Sequence, residues 1–225
     1  MTCRDCGCDI TTEPAILFGR KIQPPNLCDD CVERQLAADD LTRRRREFVD
    51  RVNRSQMPKG KRGIVLDGPM ADVAGQWARR EIPVLVLTGP VGVGKTHAAA
   101  AAAWLALQSR SVRWIAVARA MSQLRASFGD EARAAALSAL TGEDSVILDD
   151  LDKVPATEAG LSTIFAAIDG RIASGAPILV TMNADLHGLA NRLDPNRSGA
   201  GEAIASRLSV GRIVALSGRD RRLAA

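Results

Sequence analysis

The sequence contains no tyrosine, and its only aromatic residues are three tryptophans and four phenylalanines. Single-strand binding modules of the OB-fold type stack bases on aromatic side chains, so this scarcity argues against such a module. No apolar run approaches the length of a membrane span, and the first residues show no signal peptide. We therefore expect a cytoplasmic protein that does not use a membrane.

Basic residues are concentrated in one segment of an otherwise balanced chain. The net charge of the 225 residues is +4, yet residues 41–62 alone hold nine Lys or Arg residues against two acidic ones. The remainder of the chain therefore carries a net charge of about −3. Such a segment indicates contact with nucleic acid or an acidic partner surface, although a solvated linker helix has the same composition. The sequence leaves both interpretations open.

A phosphate-binding motif lies near the middle of the chain. Residues 89–96 match the P-loop pattern G-x-x-x-x-G-K-[ST], with an apolar strand before and an alanine-rich helix after. Glycines let backbone N–H groups approach phosphates closely, and the helix directs the positive end of its dipole at the anion. We expect Lys95 near the β- and γ-phosphates and the Thr96 hydroxyl on Mg²⁺. The expected nucleotide-binding residues are Gly89, Pro90, Val91, Gly92, Val93, Gly94, Lys95, Thr96 and His97.

Two further strand ends carry polar residues suited to ATP hydrolysis. Residues 145–150 form an apolar run that ends in two aspartates, the Walker B pattern of P-loop NTPases. We expect Asp149 to hold Mg²⁺ and Asp150 to orient the attacking water and help deprotonate it. Asn183 ends the run 177–183, where it could hold that water, sense the γ-phosphate or only cap the strand. Since the ends of parallel strands meet at one sheet edge, these residues should lie near the P-loop.

All five cysteines lie within the first 31 residues. Two Cys-x-x-Cys pairs, Cys3 with Cys6 and Cys28 with Cys31, have the spacing of a zinc ribbon or knuckle, although the 21-residue gap between them is slightly long. Four thiolates would close the coordination sphere of Zn²⁺, which indicates a structural role. Cys8 could replace Cys6 or stay free. Disulfides are disfavoured in a chain without a signal peptide.

Together these motifs resemble the AAA+ helicase-loader family of the DnaC/DnaI type, to which the IstB transposition helpers are close. The similarity covers about residues 64–222 and includes Leu-Asp-Asp-Leu at 148–151, Thr-x-Asn at 181–183, Ser-Arg-Leu at 206–208 and Gly-x-Asp-Arg-Arg at 218–222. The resemblance implies an α/β P-loop NTPase with a five-stranded parallel sheet that uses ATP and Mg²⁺. It also implies self-association through the ATP site, in which Arg207 of one subunit completes its neighbour's site.

The same resemblance implies DNA and protein partners. Loaders of this type couple single-stranded DNA binding to ATP hydrolysis, and Arg119 and Arg125 lie where such loaders present basic groups to DNA. Their N-terminal region grips the replicative DNA helicase. We accordingly expect a zinc-binding segment at 1–35, a basic helix and linker at 36–63, and an AAA+ ATPase domain at 64–225.

Two departures from the family pattern affect the expected chemistry. The second acidic residue is Asp150 where many AAA+ proteins have glutamate, so its carboxylate reaches less far and hydrolysis should be slow. Only nine residues follow Leu216, which leaves no room for a helical lid, so nucleotide binding should be weak without a partner.

The expected function is ATP-dependent loading or remodelling of a hexameric replicative helicase on single-stranded DNA. An IstB-like transposition helper ATPase acting on duplex DNA is the nearest alternative, and a nucleotide-gated scaffold or adaptor with little hydrolysis is another. A P-loop kinase for a small molecule would need a lid with arginines and a substrate pocket, for which the short C-terminal part offers no candidate.

Overall fold

The computed structural model describes residues 2–10, 15–17, 20–22, 26–126, 138, 142–153, 157–194 and 198–220. The chain divides into two compact units, Met1–Val49 and Asp50–Ala225. The segment boundaries expected from the sequence remain predictions. Among the described helices, none combines the length and the apolar character needed to cross a bilayer.

The described residues of the first unit bury few apolar side chains. Strands β1 (Ala15–Leu17) and β2 (Arg20–Ile22) form an antiparallel pair, and helix α1 (Asp29–Arg54) begins in this unit. The buried cluster among its described residues consists of Cys3, Ile10 and Cys31, with Leu27 and Cys28 packed against it. So small a core contributes little hydrophobic stabilisation, and two of its three members are thiols.

The second unit is built on a five-stranded sheet. Its strands are β3 (Val84–Thr88), β4 (Val112–Ala116), β5 (Ser145–Asp149), β6 (Ile178–Thr181) and β7 (Arg212–Ala215). They lie in the order β4-β5-β6-β3-β7, and all four neighbouring pairs are parallel. Every residue of β3, β5 and β6 is buried, as expected for apolar strands covered on both faces. The predicted five-stranded parallel sheet is thus confirmed.

Six α-helices of the described residues accompany this sheet. They are α2 (Pro69–Ala78), α3 (Lys95–Leu107), α4 (Val117–Ala126), α5 (Glu158–Ala173), α6 (Leu186–Leu193) and α7 (Ala200–Leu208), with short 3₁₀ helices at Lys59–Lys61 and Leu151–Lys153. Six consecutive alanines, residues 98–103, make α3 a strong helix former, and all six are buried. The small alanine side chains let α2 pack closely on α3. Helices α5, α6 and α7 share one apolar cluster with the central strands.

A buried arginine joins α5 to the amino ends of β5 and β6. Arg171 is 2% exposed, and its guanidinium donates to the carbonyls of Glu143, Asp144 and Pro177 at 3.0–3.1 Å. Burial lowers the pKa of Arg171 to about 10. The brace lies at the sheet edge opposite the P-loop, so we infer that it stabilises the fold rather than the chemistry.

We expect Arg171→Met to lower the free energy of unfolding by about 2 kcal/mol or more, because three hydrogen bonds from a buried guanidinium to backbone carbonyls are lost. Urea denaturation of the full chain measures this loss. Arg80→Met is the matched control, since Arg80 forms only a half-exposed ion pair with Asp144 at 3.6 Å and should change stability by less than about 0.5 kcal/mol. Equal effects of the two substitutions would contradict the brace.

Candidate active site

The P-loop connects β3 to α3 and holds its own lysine in place. Gly94 precedes α3 in the left-handed region, with φ 105°, and Lys95 begins the helix. The Lys95 ammonium donates to the carbonyls of Gly89 and Pro90, both at 2.7 Å. Lys95 is 6% exposed, and this burial lowers its pKa. The loop therefore presents a fixed cation with few competing water contacts.

Two loop glycines stand where no side chain would fit. Gly89 has φ 136°, and an added Cβ would lie 2.1 Å from the Leu216 carbonyl oxygen. Gly92 has φ 83°, and an added Cβ would lie 2.0 Å from the Asp220 carboxyl carbon. The P-loop thus packs directly against the chain that follows β7.

Asp149 links the P-loop helix to two strand ends. Its Oδ1 accepts hydrogen bonds from the Thr96 hydroxyl at 3.1 Å and from the Thr181 hydroxyl at 2.7 Å. Burial raises the pKa of Asp149, and the two hydroxyl donors oppose that rise. A buried carboxylate and a hydroxyl in contact are the oxygen ligands that Mg²⁺ prefers. The residues present therefore fit the expected magnesium site.

Asp150 adopts a strained backbone conformation and is held by a lysine. Its φ is 60°, an uncommon value for a residue with a side chain, and its N–H donates to the Thr181 hydroxyl at 2.9 Å. Lys153 Nζ donates to Asp150 Oδ2 at 2.7 Å. The carboxylate expected to act on water is thus aimed by β6 and paired with a cation in the ligand-free chain.

A cleft of about 290 Å³ brings these groups together at the carboxyl edge of the sheet. Among the described residues, three lysines line it, Lys61, Lys95 and Lys153, against one carboxylate, that of Asp150. Its other lining residues are Val91, Gly92, Gly94, Thr96, His97 and Asn183. Of the remaining P-loop residues, Gly89 and Pro90 bind the lysine and Val93 is buried. This excess of positive charge suits a polyphosphate.

The other predicted site residues have different surroundings. Asn183 faces the cleft and donates through Nδ2 to the carboxylate of Asp152. Arg207 is not among the described residues that line the cleft. On α7 it forms an ion pair with Asp169 of α5. Its guanidinium carbon lies 6.0 Å from the centre of the Phe165 ring. Its role as an arginine finger remains a prediction.

The two arginines assigned to DNA contact also remain predictions. Arg119 is exposed near the start of α4, whereas the side chain of Arg125 lies outside the described residues.

Four cysteines form a cluster in the first unit. The sulfurs of Cys3, Cys6, Cys28 and Cys31 all lie within 4.8 Å of one another. A tetrahedral Zn²⁺ with Zn–S bonds of about 2.3 Å would hold its sulfurs about 3.8 Å apart, so the cluster is close to the required size. The fifth thiol, Cys8, is exposed and lies 3.3 Å from Cys6.

Local structure explains how the two halves of the cluster meet. The amide of Gly7, with φ 74°, donates to the Cys3 carbonyl and closes the first turn. Cys28 precedes α1, and Cys31 lies in its first turn, with the Val32 amide donating to the Cys28 carbonyl. Arg34, one turn further along, donates to Cys31 Sγ at 2.9 Å. Burial outweighs this nearby positive charge and raises the pKa of the Cys31 thiol to about 12.

Sequence reasoning missed two residues that line the cleft and one that lies behind it. Lys61 precedes the sheet by more than twenty residues, and nothing in its neighbourhood indicates a ligand. Lys153 follows Asp150 by three residues, a spacing that brings side chains together on a helical turn and could have been noticed. The buried carboxylate of Asp152 depends on α6 for its partner, Arg192. That helix is capped by Asp185, which accepts a hydrogen bond from the Gly188 amide at 2.7 Å.

Comparisons with known proteins agree with this geometry. The model of the family described as IstB-like ATP binding protein matches residues 70–208. An ATP-binding protein of the insertion sequence IS1162 of Pseudomonas fluorescens is 33% identical over 138 residues, which are 60% of this chain and 59% of that protein. The chain therefore spans about three fifths of the length of this curated relative.

Solved structures share the fold. DnaI aligns with a TM-score of 0.61 and 22% identity, over 72% of this chain and 95% of that one. The DnaC helicase loader aligns with a TM-score of 0.52 and 18% identity, over 71% of this chain and 100% of that one. At these identities the likeness shows the architecture only.

We expect Asp149→Asn to weaken nucleotide binding in the presence of Mg²⁺ by about tenfold or more, with little effect when Mg²⁺ is absent. A carboxylate binds Mg²⁺ only when it is ionised, and the pKa of Asp149 is raised. On acidification, the nucleotide affinity of the wild type should therefore begin to fall at a higher pH than it would if this aspartate were exposed. Titration of a fluorescent nucleotide from pH 8 to pH 5 measures both effects. Asp67→Asn, at an exposed position, should behave like the wild type.

The stability of the ligand-free protein provides a second measurement. Since the native state binds the Asp149 proton more tightly than the unfolded chain does, stability should decrease as pH rises through the raised pKa. Asp149→Asn should remove that decrease. If the dependence of stability on pH is the same in Asp149→Asn as in the wild type, the decrease does not come from Asp149.

Proposed function

Because the chain belongs to the IstB-like ATP binding protein family, we propose that it hydrolyses ATP slowly and couples hydrolysis to work on DNA. One observation carries this proposal: Lys95, Thr96, Asp149, Asp150 and Asn183 converge at a single sheet edge around a cleft rich in lysine. A strand end with acids or a glycine turn could arise separately for structural reasons. Their convergence provides each group that phosphoryl transfer to water requires.

Each residue of the cleft has a distinct task. Lys95 would neutralise the β- and γ-phosphates, and Thr96 and Asp149 would hold Mg²⁺, which would offset charge on the phosphate oxygens. Asp150 would orient the attacking water and accept a proton from it. Asp150 is paired with Lys153, and its side chain is shorter than glutamate. Both features support slow turnover until a partner rearranges the site.

We propose helicase loading as the work performed. The likeness to DnaI and to the DnaC helicase loader covers almost the whole of those two chains, which supports a loader-like ATPase domain. The N-terminal unit would grip a hexameric replicative helicase in the cytoplasm. The basic residues of 41–62, together with Arg119 and Arg125, would contact single-stranded DNA.

Self-association would complete the ATP site. Arg207 would reach the nucleotide of a neighbouring subunit and neutralise charge there. In the single chain its guanidinium pairs with Asp169, so assembly would have to replace this ion pair. Such a replacement would link turnover to the oligomer.

A second candidate is a transposition helper ATPase that acts on duplex DNA. The observation that favours it is the 33% identity to an insertion-sequence ATP-binding protein, which exceeds the identity to either loader structure. The residues that match it extend over 60% of the chain. The two candidates share the ATP chemistry and differ in the DNA and in the protein partner.

We propose that Cys3, Cys6, Cys28 and Cys31 bind a structural Zn²⁺. The four sulfurs already lie close together, and the small apolar cluster around them would depend on a metal to hold its fold. Cys8 lies outside this set of four.

Metal analysis of the full chain purified under reducing conditions should find about one zinc per chain. Cys28→Ser should lose the metal, whereas Cys8→Ser, the matched control, should keep it. Zinc retained by Cys28→Ser, or absent from the wild type, would remove the proposed site.

Steady-state ATPase assays distinguish the proposed functions. Hydrolysis by the full chain should rise by about fivefold or more with a single-stranded oligonucleotide, and further with a replicative helicase. Greater stimulation by duplex DNA of the same sequence would favour the transposition helper. If the chain binds nucleotide but does not hydrolyse it under any of these conditions, only the function of a nucleotide-gated scaffold or adaptor remains.

Two variants control this experiment. Lys95→Ala should lose nucleotide binding because the cleft loses its central cation. Arg207→Ala should bind nucleotide normally and lose turnover only where subunits assemble. Wild-type turnover by this variant would disprove the role of Arg207 as an arginine finger.

A further inference from the structure

A buried carboxylate lies behind the cleft, just beyond the acidic strand end. Asp152 belongs to the 3₁₀ helix Leu151–Lys153, and its side chain is fully buried. It is not one of the described residues that line the cleft. Its oxygens accept from two donors on other elements, Asn183 Nδ2 at 3.2 and 3.3 Å and Arg192 Nη1 at 2.8 Å. A buried charge with no partner would be costly, so these contacts hold all three side chains together.

The contact determines which end of the Asn183 carboxamide faces Asp152. An ionised carboxylate can only accept hydrogen bonds, so the amide nitrogen must point towards it and the amide oxygen away from it. Asn183 also lines the cleft, where Oδ1 and the second N–H of the carboxamide remain available to a ligand, and Oδ1 lies on the side away from Asp152. An amide oxygen can accept a hydrogen bond from water. It cannot bond a deprotonated phosphate, which has no hydrogen to donate.

Arg192 stabilises this orientation of the Asn183 carboxamide. It lies on α6, and its side chain is half exposed while its partner is buried. Its guanidinium donates to Asp152 Oδ2, the same oxygen that Asn183 Nδ2 approaches at 3.2 Å. The ion pair therefore fixes the position of the carboxylate against which the carboxamide is oriented.

We propose that Asp152 and Arg192 are positioning residues that aim Asn183 Oδ1 at the attacking water, so that Asn183 orients water and does not donate to the γ-phosphate. The inference rests on the proposed ATPase function. In the reaction, the water oxygen bonds to the γ-phosphorus as the bond to the β,γ-bridging oxygen breaks, and ADP leaves with that electron pair. One water proton passes to Asp150, and the other is held by Asn183 Oδ1 during the attack.

An exchange of the two side chains tests this orientation. Asp152→Asn should lower kcat by about 10- to 100-fold, because the carboxamide is no longer fixed and the water is misplaced. Nucleotide affinity and melting temperature should stay close to those of the wild type. The double variant Asp152→Asn/Asn183→Asp keeps one carboxylate, one amide and Arg192, and again directs an acceptor oxygen at the cleft. It should recover most of the lost rate, and Asp67→Asn should leave kcat unchanged.

A binding measurement tests the same inference without turnover. Asn183→Ala should leave the ratio of affinities for AMP-PCP and ADP within about twofold of the wild type, since no bond to the γ-phosphate is lost. A donor role predicts a fall in that ratio of about tenfold, the size of a lost charge-assisted hydrogen bond.

The outcomes separate this inference from the proposed function. If Asp152→Asn turns over at the wild-type rate, if the double variant is no faster than the single one, or if the AMP-PCP preference falls tenfold in Asn183→Ala, the orientation is wrong while the ATPase stands. If the wild type shows no turnover with DNA and helicase present, the proposed function fails. The affinity ratio then still decides the orientation of Asn183.

Discussion

One oxygen atom holds the nucleotide site together. Asp149 Oδ1 accepts from Thr96 on the P-loop helix and from Thr181 at the end of β6, and these bonds fix two strand ends and a helix start against one another. The strand order makes this possible, because β6 lies between the P-loop strand and the acidic strand. The same carboxylate is buried with a raised pKa, so the fold retains an unfavourable charge at the place where a divalent cation would neutralise it.

The sheet and the phosphate site could be predicted because their signals are local. Apolar runs such as 84–87 and 146–148 indicate buried parallel strands, and the P-loop pattern specifies its own turn. The partners of the site residues are not local. Lys61 comes from far upstream, and the pairing of Arg207 with Asp169 joins two helices whose contact no sequence pattern reveals. Sequence therefore predicts the identity of the reactive groups better than the side chains that orient them.

The cysteine unit illustrates a different limit. The spacing of the two pairs predicts four ligands, and the fold brings those four sulfurs together. Spacing alone could not exclude Cys8 from the set, because it lies only two residues from Cys6. The Gly7 turn and the first turn of α1 bring these four sulfurs together. In so small a unit, backbone geometry determines which side chains meet, whereas in a larger core side-chain packing would determine it.

The absence of space beside Gly89 has a mechanical consequence. The phosphate loop touches the backbone at Leu216 with no side chain between them to yield, whereas Gly92 meets the side-chain carboxyl group of Asp220. Backbone in direct contact cannot absorb a displacement as a flexible side chain can. A loop that shifts when phosphates arrive or depart would therefore push the edge of the sheet with it. Occupancy of the cleft would then be transmitted, by steric contact alone, to the chain beyond β7.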